Sequence, residues 1–182
     1  MHGARVRMGE RVVHTIGHST RPIDAFIDLL RAQRIDTLVD IRTVPKSRHN
    51  PQFEQRRLEK SLAEAGIEYR YMSVLGGLRR PAKDSVNVGW RNASFRGYAD
   101  HMQTEAFAQA VDELAALADT RRPAIMCAEA VPWRCHRSLV GDALLVRGVE
   151  VLDIIDGGAP RKHSLTPFAK VDGTKVSYPA KE

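Results

Sequence analysis

The stretch Ala124-Ile125-Met126-Cys127-Ala128-Glu129-Ala130-Val131-Pro132-Trp133-Arg134-Cys135-His136-Arg137 decides how this chain is read. Its first three residues form an apolar, strand-like run. The segment from Ser138 to Arg147 carries Leu139, Val140, Ala143 and Leu144 at helical spacing, with Gly148 just beyond it. Two thiols, a carboxylate, an imidazole and two guanidiniums therefore lie in one strand-to-helix turn. Turns of this kind, at the carboxyl ends of strands in α/β proteins, carry binding and chemistry.

Working outward, strand and helix patterns alternate along the whole chain. Strands are expected at Val12 to Ile16, Thr37 to Ile41, Glu68 to Met72, Ala124 to Met126 and Val149 to Ile155. A helix opens at Pro22 and Asp24, with Ile23, Phe26, Ile27 and Leu30 on one face. A second follows Asn50-Pro51, read as N-cap and first helical position, and stops at Gly66. A third is capped by Thr104 and turns Phe107, Val111, Leu114 and Ala118 inward. Between strand three and this helix lies a long polar insert, Arg79 to Gly97, expected to be a lid or binding loop. The pattern predicts a single doubly wound, Rossmann-like α/β domain, its mostly parallel sheet of about five strands flanked by helices.

The 182 residues suffice for one domain with a substantial core. No run approaches the ~18 apolar residues that span a bilayer. Met1 to Glu10 lacks the apolar core of a secretory signal. Two cysteines make no disulfide framework, so a cytoplasmic location is expected. The net charge of +6 points to an anionic partner: a phosphate-bearing small molecule or a nucleic acid.

Every unusual polar cluster follows a predicted strand. These are His18-Ser19, then Arg42 with Lys46 and Arg48, Gly76-Gly77, the Glu129 to Arg137 segment, and Asp156. In a parallel sheet those loops share one edge and converge. Three blocks, Thr15 to Ser19, Val39 to Phe53, and Cys127 to Glu129 with Cys135 to Arg137, resemble the bacterial and archaeal domain-of-unknown-function 488 family. Gly66 to Tyr69, Leu75 to Gly77 and Phe95 to Tyr98 fit the same pattern. The resemblance covers Val12 to Phe168, which places such a domain at 12–168 and a polar C-terminal tail at 169–182. It implies a small cytoplasmic α/β domain with these blocks at its functional edge, and no substrate.

Arg42, Arg48 and Arg137, with Lys46, are expected to hold an anion, helped by the amides opening the helix after Cys135. The alternative is an internal ion network with Asp40 or Glu129. Gly76 and Gly77 let backbone approach a ligand. Asp40, Glu129 and His136, with His18, are the candidate acids and bases. Cys127 is a candidate nucleophile and Cys135 a second thiol favoured by its helix start. Cys127 resembles the nucleophile of rhodanese-like sulfurtransferases and cysteine phosphatases, but those place an arginine six positions on, where this chain has Trp133. Either cysteine otherwise serves as a small packed hydrophobe. Trp90, flanked by Arg91 and Arg96, is the contact expected from the insert. No C-x-x-C pair or helical histidine pair asks for a metal, and no cofactor is required by the sequence. The leading expectation is an enzyme acting on a phosphate-bearing substrate. The alternatives are a non-catalytic nucleic-acid-binding module and a cysteine-dependent sulfur or phosphoryl transferase.

Overall fold

The computed structural model describes residues 10–181. Residues read above for a secretory signal lie outside these except Glu10, as does Glu182 at the end of the expected tail. Five parallel strands form the sheet: β1 (Val12–Gly17), β2 (Thr37–Asp40), β3 (Glu68–Tyr71), β4 (Pro123–Cys127) and β5 (Glu150–Ile154). A short sixth strand, β6 (Arg161–Lys162), adds antiparallel to β5, and the order is β3-β2-β4-β1-β5-β6. This is the doubly wound α/β architecture.

The helices are α1 (Ile23–Ala32), α2 (Gln55–Glu64), α3 (Ala93–His101), α4 (Glu105–Leu117) and α5 (Arg137–Leu145). Side chains of β1, β2 and β4 alternate between two cores. Ile16, Leu38, Ala124 and Met126 face Phe26, Leu30, Leu58 and Leu62 of α1 and α2. Val13, Val39 and Ile125 face Tyr98, Phe107, Leu114, Leu139 and Val140 of α3, α4 and α5. The chain moves outward from β1 through β2 to β3, then returns through β4 to β5. Reversing direction while keeping right-handed crossovers places the second set of helices on the opposite face.

Local chemistry refines several boundaries. Asn50-Pro51 opens a 3-10 turn, Pro51–Phe53, that drives Phe53 into the core. The cap of α2 is instead Glu54, which accepts from the amides of Arg56 and Arg57. Thr104 caps α4 through the Phe107 amide, as its position predicts. The polar insert is not all loop: Asn92 caps α3, whose Asp100 accepts from the Ala82 amide and the Asn87 side chain. β3 is an edge strand with Glu68 exposed, and Glu68 pairs with Arg70 and Arg121. No helix among the described residues is long and apolar enough to cross a membrane.

The segment read as a polar tail packs as part of the domain. It forms a hairpin, β7 (Lys170–Asp172) and β8 (Lys175–Ser177), and then buries Tyr178 completely. Asp142 of α5, itself buried, gathers this region. Its Oδ1 accepts from His163 Nε2 and the Thr166 amide, and its Oδ2 from the Thr166 and Tyr178 hydroxyls at 2.6 and 2.7 Å. Removing the acceptor leaves several buried donors unpaired, each costing about 1–3 kcal/mol. Asp142→Ala is therefore expected to lower stability in urea unfolding by about 3 kcal/mol or more, and to expose residues 160–178 to limited proteolysis.

Candidate functional site

The strand order sets where a ligand goes. β2 and β4 are neighbours, but the chain leaves β2 toward α2 on one face and leaves β4 toward α5 on the other. Loops diverging from adjacent strands open a crevice at their carboxyl ends. A cavity of about 460 Å³ lies there. Its walls are Arg42 to Val44 and Lys46 after β2, Gly77 and Leu78 after β3, Phe95 and Tyr98 of α3, and Cys127 to Glu129 with Arg134 to His136 after β4.

The loop after β4 reaches this position by folding over the end of β1. The His18 and Ser19 amides bond to the carbonyls of Cys127 and Ala128, both at 2.9 Å. A side chain on Gly17 would collide with the Glu129 carbonyl, so only glycine lets the loop cross. Beneath it lies the guanidinium of Arg137, wholly buried. Its Nε donates to Thr15 Oγ1 at 3.3 Å, Nη1 to Cys127 Sγ at 2.8 Å and to the Glu129 carbonyl, and Nη2 to the Ala130 carbonyl at 3.1 Å. Thr15 donates in turn to Asp153 Oδ1 at 2.6 Å. Burial pulls Arg137 down to about 10, against the pull of Asp153 and Glu129, and leaves it charged at neutral pH.

Cys127 and Cys135 meet across the cavity floor and are paired there as a disulfide, a pairing that the sequence reading did not expect. The Cys135 sulfur also accepts from the Arg137 amide at the start of α5 and lies 3.6 Å from His136 Nδ1. His136 Nε2 is 3.2 Å from the Ile41 carbonyl. A carbonyl accepts only, so Nε2 carries the hydrogen and Nδ1 presents its lone pair to Cys135. A Cβ on Gly77 would come 3.0 Å from that same Nδ1, so a side chain there would press on the imidazole. Tyr98, its hydroxyl bonded to the Leu75 carbonyl at 2.8 Å, supports the imidazole from below.

Of the residues singled out from the sequence, Arg42, Lys46, Gly77, Cys127, Glu129, Cys135 and His136 line the cavity. The expected roles of Asp40 and Arg42 find no support. Asp40 is buried, and its oxygens accept from Arg42 Nε at 2.9 Å, Arg42 Nη2 at 2.7 Å and the Tyr69 hydroxyl at 2.6 Å. Arg42 Nη1 bonds to the Phe53 carbonyl at 2.8 Å. The Asp40 oxygens are fully engaged, and Arg42 spends three of its five N–H donors inside the protein, although it borders the cavity. Arg137 is likewise an internal strut rather than an anion holder. His18 is stacked on Phe53 at 4.4 Å outside the cavity. Gly76 packs on Thr43, and Arg48 stands exposed on the loop after β2.

Trp90 also lies off the cavity, in an aromatic cluster with Phe95, Phe168 and Tyr178 that seats the C-terminal segment. Sequence reasoning missed Asp153, which shares a face with Thr15 in the adjacent strand, and Leu78. Leu78 is 83 % exposed at the cavity mouth with φ of 59°, a signal invisible without coordinates. No three metal-ligating side chains converge among the described residues.

Fold and cavity define a doubly wound α/β protein whose candidate site is built from the loops after β2, β3 and β4. The chain matches a family model described as "Domain of unknown function DUF488" over residues 22–144, and it belongs to that family. No curated protein and no solved structure matches it.

Two outcomes follow from these environments. Asp40→Ala leaves Arg42 charged and unpaired inside the protein and is expected to cost about 3–5 kcal/mol in denaturant unfolding. Burial also lowers His14 and His136 from the usual 6.5 to about 4. Once unfolded, both take up a proton more readily, so stability is full above pH 6.5 and falls as pH drops toward 4. His14→Phe, which has no site to protonate, is expected to flatten that slope in pH-resolved unfolding.

Proposed function

We propose that this protein is an enzyme acting on a phosphate-bearing small molecule in the cavity at the β2–β4 crevice, with Cys127 in its reduced form as the nucleophile. The observation that carries the reading is the Arg137 guanidinium, 2.8 Å from Cys127 Sγ, at the floor of a cavity large enough for a nucleotide-sized ligand. A cation held against a sulfur favours its thiolate form, which is the nucleophilic one.

The rest of the wall supports the same reading. Lys46 and Arg134 are exposed, line the cavity, and make no ion pair among the described residues. They are the cations free to meet a phosphate, in place of the internally bonded Arg42 and Arg137. Leu78 and Val44 add apolar surface at the mouth, the former in a backbone conformation that costs a non-glycine residue about 1 kcal/mol or more. Backbone strain of that kind clusters at ligand sites, which fits a ligand at this mouth.

In the proposed reaction Cys127 Sγ attacks the phosphorus, and the P–O bond to the rest of the substrate breaks. The leaving oxygen takes a proton. Water then attacks the thiophosphate, restoring the thiol and releasing phosphate. Glu129, the one carboxylate among the lining residues, is placed to carry the proton.

The test is a thermal-shift screen of the reduced protein against nucleotides, inorganic phosphate and other small anions at two salt concentrations. Ligand at 100 times its Kd is expected to add about 2.7 kcal/mol. Lys46→Ala/Arg134→Ala is expected to lose the shift while keeping its unliganded Tm, Arg48→Ala to retain it, and Cys127→Ser to bind without turnover. A folded wild-type protein that no phosphate ligand shifts would sink the reading.

A further inference from the structure

We propose that Cys127 and Cys135 are a redox-active dithiol, which a hydroperoxide converts to an intramolecular disulfide and so reversibly removes the cavity's nucleophile. The proposal rests on the reading of Cys127 as a nucleophile, and extends it to a co-reactant and a means of control.

Three features carry it. First, the two side chains meet sulfur to sulfur, although eight positions separate them in sequence. They come from the end of β4 and the residue two positions before α5, and the intervening loop is held by Arg137 bonds to the Glu129 and Ala130 carbonyls. Second, both line the cavity, so a solute as small as a hydroperoxide reaches them although each is almost wholly buried. Third, each sulfur has a different polar neighbour. Cys127 faces the Arg137 guanidinium, which suits an attacking thiolate, and Cys135 faces the lone pair of His136 Nδ1, which suits a thiol about to release its proton.

The Cys127 thiolate attacks one peroxide oxygen, the O–O bond breaks, and the departing oxygen takes a proton to leave as water or an alcohol. Cys127 is now a sulfenic acid. The Cys135 sulfur attacks it, the S–S bond forms and the S–O bond breaks. Hydroxide leaves and becomes water with the proton that Cys135 gave up. Two thiols are oxidised and one hydroperoxide is reduced, and an external dithiol reverses the change by exchange.

The experiment exposes the reduced full chain to stoichiometric hydrogen peroxide, then counts thiols and measures intact mass under denaturing conditions. Both thiols are expected to vanish together, with a mass loss of two hydrogens and full recovery in dithiothreitol. Cys135→Ser is expected to stop at a sulfenic acid on Cys127, captured by dimedone. The proposal is overturned if the wild-type protein keeps both thiols at a peroxide dose that oxidises Cys135→Ser. Conversion to a sulfinic acid without a cross-link, or pairing only between chains on a non-reducing gel, overturns it equally. No substrate enters this readout. A cross-link without any phosphate-dependent thermal shift retires the proposed function alone, and a shift without a cross-link retires the redox pair alone.

Discussion

One buried guanidinium organises this molecule. Arg137 has no exposure to solvent and remains charged at neutral pH, so every one of its donors needs an acceptor inside the protein. It meets four, Thr15 on β1, Cys127 at the end of β4 and two carbonyls of the following loop. The loop adopts its shape because those carbonyls must turn inward. That shape brings it across Gly17, sets Cys127 on the cavity floor and aims α5. Thr15 relays the charge to Asp153 on β5, so the three central strands share one polar strut running between two apolar cores.

The same physics explains which parts of the site were legible in the sequence. Polar clusters after apolar strands are conspicuous, and a parallel sheet sends all of them to one edge, so the cavity's address could be read. Partner choice could not. Asp40 and Arg42 are two residues apart and their types suit both catalysis and an ion pair. Only the arrival of Tyr69 from β3 and the Phe53 carbonyl from the turn before α2 settles that they close on each other. Arg137 looked like an anion ligand for the same reason. The contact between Cys127 and Cys135 depends on how a loop folds over a neighbouring strand, which no spacing rule encodes.

The fold was legible where periods are long. The five parallel strands and four of the helices carry an alternation or a helical stripe that survives inspection. α3 escaped because Gly97 interrupts it and its neighbours are polar. That glycine is needed because the chain at Arg79 passes directly against it. The C-terminal strands are two or three residues long, too short to show a period. Tyr178 and Trp90 lie far apart in sequence and join one aromatic cluster, so the insert and the C-terminal segment stabilise one another rather than acting as separate appendages.

The two margins of the sheet have a consequence for how molecules of this protein meet in solution. At one margin β3 presents Glu68 and Arg70, each occupied by an opposite charge. At the other, β6 is only two residues long, both basic and both exposed. An incoming strand would have to strip water from these charges or face like charge directly, at either side. Both margins therefore carry charge where an added strand would have to pair, the arrangement by which natural sheets disfavour edge-to-edge association.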